Sequence, residues 1–169
     1  MAKWKCSICE EEHDEIPMDI AYARPQHYFE IPLAERNQRA QFNDETNADV
    51  CVIDGNLFLV RAILPVAVEE DREFRHGVWV LVDEPGFRKY ATLEDGSVEP
   101  PMQGRLSSEV PGYPSTFLLP VEIQLGPPTQ RPSVRLKPSD HPFSSEQRTG
   151  ITMTRVHELV QAALPEMFE

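Results

Sequence analysis

Asp49-Val50-Cys51-Val52-Ile53 and Leu57-Phe58-Leu59-Val60-Arg61-Ala62-Ile63-Leu64 are β-branched and apolar, and they flank Asp54-Gly55-Asn56. A short glycine-bearing loop between two such runs is a hairpin signal, because the turn needs a residue at ease with positive φ. Pro65 is expected to end or bend the second strand, since proline brings no N–H to the ladder. After an acidic loop at residues 69–73, Gly77-Val78-Trp79-Val80-Leu81-Val82 reads as a third strand. Successive strands on short loops pair antiparallel. These strands are the expected core.

Upstream, residues 33–42 lack Gly and Pro and are rich in helix formers, which predicts one polar surface helix. Tyr22, Tyr28 and Phe29 are the expected packing anchors before it. Downstream, residues 83–90 predict one or two helical turns with Phe87 facing in. Residues 104–110 and 115–125 read as strands, with Pro120 making part of the second an edge or a bulge. Ser133-Val134-Arg135-Leu136-Lys137 alternates as a half-exposed strand does.

The end of the chain reads as helical. Ser144 and Gln147 have capping-box spacing, and Gly150 can stop that helix. Thr152 or Thr154 can cap a second helix, whose Val156, Leu159, Val160, Ala163 and Leu164 form one apolar stripe. The expectation is one α+β domain over residues 1–169. It comprises a knuckle-like segment at 1–17, a mostly antiparallel sheet within 49–137 and helices at 140–164 packed on one face. About five or six strands would place that sheet in the usual range.

Sixteen prolines against eight glycines favour short elements and rigid turns. The formal charge of −12 argues against nucleic acid, whose binding rests on Lys and Arg neutralising phosphates. The acidity is uneven, with eleven acids against five bases in residues 1–49. It serves solubility, or else offers an acidic face to a basic partner protein. Three cysteines are too few for a disulfide framework. With no apolar run of signal-peptide or membrane-spanning length, the expectation is a cytoplasmic, reduced, non-membrane protein.

Cys6, Cys9 and His13 have metal-ligand spacing. Two thiolates on a tight knuckle present both sulfurs to one tetrahedral ion, and thiolate and imidazole both suit zinc. Structural zinc needs a fourth ligand, for which Cys51 is the first candidate and His141 the second. The plainer reading is a pair of reduced cysteines, with Cys51 a small buried apolar residue. A redox role is disfavoured because the carboxylates at Glu10, Glu11 and Glu12 raise a neighbouring thiol's pKa. His157-Glu158-Leu159-Val160-Gln161 carries Gln where a zinc protease has its second His.

Around Ser139-Asp140-His141-Pro142-Phe143, with Ser144, Ser145 and Arg148 close by, the structural reading is a capped turn opening a helix at Pro142. Its rival is a ligand cleft formed by Arg61, Trp79, Asp140, His141 and Arg148. Arg61 enters because a guanidinium cannot sit unpaired in a core. It is expected to pair with a carboxylate, Asp54 or Asp83, or to face a cleft. Trp79 is expected in the core.

Together, several segments resemble the bacterial domain of unknown function 2199 family. They are Trp4-Lys5-Cys6-Ser7-Ile8-Cys9 with His13 and Pro17, Asp49-Val50-Cys51-Val52-Ile53-Asp54, Phe58-Leu59-Val60-Arg61, Gly77-Val78-Trp79-Val80, and Asp140-His141-Pro142 with Glu146-Gln147-Arg148 and Gly150-Ile151. The resemblance implies a small bacterial protein without an assigned activity. It also implies a glycine after the second cysteine, where this chain has Glu10. The expected function is a non-enzymatic module, stabilised by zinc, that works through a partner protein. The alternative is an enzyme or small-ligand binder with the cleft named above.

Overall fold

Two long strands carry the fold, and every other strand of the main sheet is placed by them directly or at one remove. In a computed structural model of the chain, residues 4–5, 12–13, 16–96 and 98–164 are described. The short strands β1 (Trp4–Lys5) and β2 (Glu12–His13) pair antiparallel. Cys6, Cys9 and the His13 side chain lie outside the described residues. Then come β3 (Asp19–Ala21), α1 (Gln26–Phe29), a 3-10 turn at Leu33–Glu35, α2 (Arg36–Arg39), β4 (Ala40–Phe42) and β5 (Val50–Ile53). The long pair is β6 (Leu57–Val68) and β7 (Arg72–Val82). It is followed by α3 (Glu84–Ala91), β8 (Met102–Leu106), β9 (Pro120–Gln124), β10 (Ser133–Leu136), α4 (Pro142–Thr149) and α5 (Met153–Ala163).

β6 and β7 form an antiparallel hairpin in register from Phe58↔Val82 to Val68↔Arg72. Its turn places Glu70 and Asp71 at positive φ. From β7 the chain meanders antiparallel through β8, β9 and β10, and β10 then lies parallel to β6 at Ser133↔Ile63. The five strands β6 to β10 therefore close into a mixed barrel. The parity is geometric, since a meander with an odd number of strands brings its first and last strands together pointing the same way.

This corrects the expectation of a mostly antiparallel sheet with helices packed on one face. A long antiparallel pair twists and coils, and a sheet that curls far enough meets its own edge. Gly104 permits the close approach of β8 to β7, because a Cβ there would stand 2.6 Å from the Leu81 carbonyl oxygen. Strand alternation sends Val60, Ala62, Leu64, Val78 and Val80 inward, where β9 and β10 add Val121, Ile123, Val134 and Leu136. Phe143 of α4 and the α5 stripe complete that core. Val156, Leu159 and Val160 of the stripe are buried, and Ala163 and Leu164 are half-buried against the same core.

His76 is also inside, fully buried between Phe74 and Phe143, whose ring centroids lie 4.9 and 5.0 Å away. Neither of its ring nitrogens has a hydrogen-bond partner among the described residues. Burial alone drives its pKa down to about 3, so the imidazole is neutral.

The outer edges of both long strands are shared. β7 pairs with β8 at Val80 and Leu81 and, parallel, with β3 at residues 75–77. β6 pairs with β5 over residues 57–60 and then with β10. β4 extends β5, and this flap covers a second core of Ile31, Ala40, Cys51, Ile53, Leu59 and Trp79. The helix expected over residues 33–42 is broken. Leu33 is 78% exposed, no apolar stripe anchors a longer helix, and residues 40–42 pair with β5 instead.

Pro65 does not end β6. It lies beyond Ile63, where the edge facing β10 has no strand partner, so its missing N–H costs no ladder bond.

Candidate functional site

Arg61 stands where β5 leaves the edge of β6 and β10 joins it. Its N–H donates to the Asp49 carbonyl at 2.8 Å, and two residues on, Ile63 donates to the Pro132 carbonyl at 2.8 Å. Its side chain shares the outer face with Leu59 and lies opposite Trp79 in register. The guanidinium carbon is 6.0 Å from the Trp79 ring centroid. Trp79 is itself fixed, its indole N–H donating to the Tyr22 carbonyl at 2.8 Å.

The two carboxylates expected to pair with Arg61 are engaged elsewhere. Asp54 takes a two-pronged contact from Arg39 at 2.9 and 2.7 Å, and Asp83 caps α3 by accepting from the Gly86 N–H at 2.7 Å. Asp49 is nearer, but its side chain accepts from Arg131 at 3.0 Å.

The second location is a cleft of about 710 Å3 on the outside of the barrel, where β6 and β10 diverge. Alternation on β9 and β10 turns Glu122, Ser133 and Arg135 outward to line it, with Glu73, Gln147 and Arg148. Arg135 and Glu122 are directly opposite in register, yet no hydrogen bond or ion pair joins them among the described residues. Gln147 is its floor. Its amide donates to the carbonyls of Pro65 at 3.1 Å and Val134 at 3.0 Å and accepts from the Leu136 N–H at 2.7 Å. Arg148 is held at the rim by Ser144 Oγ at 3.0 Å.

His141, not Ser144, caps α4. Its Nδ1 accepts from the Phe143 N–H at 3.1 Å, while Nε2 lies 3.2 Å from both the Pro114 and Ser115 carbonyl oxygens. That pattern needs the neutral tautomer protonated at Nε2. Asp140 is exposed beside it. The structure thus joins Arg61 to Trp79, puts Arg148 on the seam cleft, and uses both His141 nitrogens structurally.

Cys51 is fully buried, and burial pushes its thiol up to about 12 against the opposing influence of Arg24. Among the described residues no group of three His, Cys, Asp or Glu side chains is placed to hold a metal. The other residues expected to ligate zinc with Cys51, namely Cys6, Cys9 and the His13 side chain, lie outside the described residues.

A family model described as an uncharacterized protein conserved in bacteria, DUF2199, matches residues 5–151. The chain belongs to this family. Comparison with curated proteins and with solved structures returned no match. No described helix of this DUF2199 protein is long and apolar enough to cross a membrane.

Sequence reasoning missed Asp49, Arg131, Gln147, Glu122 and Arg135 as site residues. For the last two a signal existed, because the alternation of β10 marks Arg135 as outward-facing and Glu122 shares that periodicity. It also missed a cluster in which Arg155 donates to Glu146 at 2.7 Å and lies over the Tyr113 ring, whose hydroxyl donates to Glu146. Those residues are too far apart in sequence to announce each other.

Proposed function

We propose that this protein is a non-enzymatic binding module that grips a charged, extended segment of a partner protein in the seam cleft. The observation that carries the reading is the pair Arg135 and Glu122, opposite in register and unbonded to each other at the cleft wall. Charged side chains with no partner among the described residues are available to a ligand's charges, and the cleft presents both signs. Its volume falls within the range of small-ligand pockets, about 300–1,000 Å3, but those are lined mainly by apolar groups. Here guanidinium, carboxylate, amide and hydroxyl groups dominate, the chemistry of a polar interface.

The test is fluorescence polarisation with short synthetic peptides alternating basic and acidic residues, against scrambled neutral controls. Mixed-charge peptides bind the wild type, salt weakens the binding, and the double variant Arg135→Glu/Arg148→Glu loses about tenfold or more in affinity, equal to about 1.4 kcal/mol. Equal binding of neutral controls, or an unchanged affinity in the double variant, sinks the reading.

A further inference from the structure

Arg61 is 6% exposed, and its Nε has no hydrogen-bond partner among the described residues. A guanidinium keeps its proton in a protein, so burial does not neutralise it. A buried charge without a bonded counter-charge is costly unless something supplies one. The described surroundings do not. Burial lowers the proton affinity of Arg61, and the positive charges of Arg131 and Arg24 lower it further against the opposing charge of Asp49. Asp49 is already bonded to Arg131, whose other arm donates to Asn47 Oδ1 at 2.8 Å. Arg24 is spread over the Phe42 ring at 4.0 Å and donates to the Glu45 carbonyl at 3.0 Å. Asp49 takes Arg131 on its carboxylate and the Arg61 N–H on its carbonyl, and the Phe42 ring under Arg24 meets the Trp79 ring beside Arg61. Three guanidinium groups therefore share one neighbourhood with the Asp49 carboxylate, in a chain whose net charge is −12.

We propose that this fork between β5 and β10 is a binding site for a phosphate-type dianion. Three positive groups and one negative leave two charges to be met, which a single dianion meets. Planar guanidinium groups match oxyanion geometry better than point charges do. The arrangement holds Arg61 in place beforehand, fixed by the β6 ladder and by Trp79, so that binding orders little that is loose. None of Arg24, Asp49, Arg61 and Arg131 lines the seam cleft, so the site stands apart from the peptide reading.

The experiment is thermal unfolding of the full chain against inorganic phosphate, with sodium chloride balancing ionic strength. A second arm uses a phosphate monoester, phosphoserine, to separate free phosphate from an esterified group. The wild-type melting temperature rises with phosphate and saturates. Arg61→Met is more stable than wild type without phosphate and does not respond to it. Asp49→Asn, which removes the competing carboxylate, binds phosphate about tenfold more tightly by calorimetry. A monoester that shifts melting at lower concentration than phosphate assigns the site to an esterified group, and the reverse order assigns it to the free ion. The proposal is overturned if the wild type shows no saturating rise, or if Arg61→Met responds equally. It is overturned as well if Asp49→Asn binds no more tightly.

Discussion

The side-chain amide of Gln147 donates to the carbonyl of Pro65 at 3.1 Å, and this contact stands where a strand-to-strand bond would otherwise close the barrel. The same amide reaches Val134 and Leu136 on β10, so one side chain stitches the first barrel strand to the last. Proline and glutamine are complementary here. One removes a donor from the edge, and the other satisfies the acceptor left behind.

Gln147→Ala removes three partly buried hydrogen bonds. At about 1 kcal/mol each, the expected loss is roughly 2–4 kcal/mol in urea unfolding. Gln147→Glu is also destabilising, because a carboxylate cannot donate to the two carbonyls. It recovers part of the loss in acid, where the carboxyl regains one donor. A loss below about 0.5 kcal/mol for Gln147→Ala, the size of an ordinary surface substitution, would show that the seam holds without it.

His76 makes stability depend on acid. Its pKa falls from the ordinary 6.5 to about 3 on burial, so between those values the unfolded chain binds a proton that the folded chain refuses. Stability therefore rises with pH across that window and is lost as pH falls from 6.5 toward 3. At 1.36 kcal/mol per unit the full effect is on the order of 4–5 kcal/mol. His76→Leu, close in volume and unable to charge, should flatten this part of the pH–stability curve. A curve with unchanged slope rules out His76 as its source.

The thiols give a third expectation. In Cys6→Ser/Cys9→Ser the remaining Cys51, fully buried with its pKa pushed up to about 12, resists a thiol reagent until denaturant is added. The zinc proposed for Cys6, Cys9, His13 and Cys51 is checked separately by elemental analysis of protein purified without tag or chelator. About one zinc per chain is expected, and less than about one-tenth removes the metal from the account. Cys6→Ser should then also lower stability markedly.

What was legible in the sequence was local. The β5–β6 hairpin turns at Asp54-Gly55-Asn56 as read, with Asp54 and Gly55 both at positive φ. Thr152 caps α5 by accepting from the Arg155 N–H at 3.1 Å, and Gly150 stops α4 at φ 85°. β10 follows its alternation. Barrel closure was not legible, because it depends on accumulated strand twist and on a parallel contact between segments some seventy residues apart, which no window of periodicity contains. That β6 continues through Pro65 was not legible for the same reason, since the cost of the proline depends on which edge of β6 lacks a partner. Arg61 was legible as an anomaly but not in its setting. A lone charge in an apolar run shows that something must meet it, while Asp49, Arg24 and Arg131 arrive through topology.

The closing contact also orders events in time. β6 and β7 are adjacent in the chain and can zip from their turn outward as soon as both have left the ribosome. β10, which seals the barrel, is synthesised more than sixty residues after β6 ends, and α4 with Gln147 comes later still. Until then the β6 edge near Pro65 is bare, and a bare strand edge invites pairing with another chain. The residue that leaves this edge one donor short in the finished barrel therefore also guards the growing chain, because an edge without that N–H makes a poor template for aggregation.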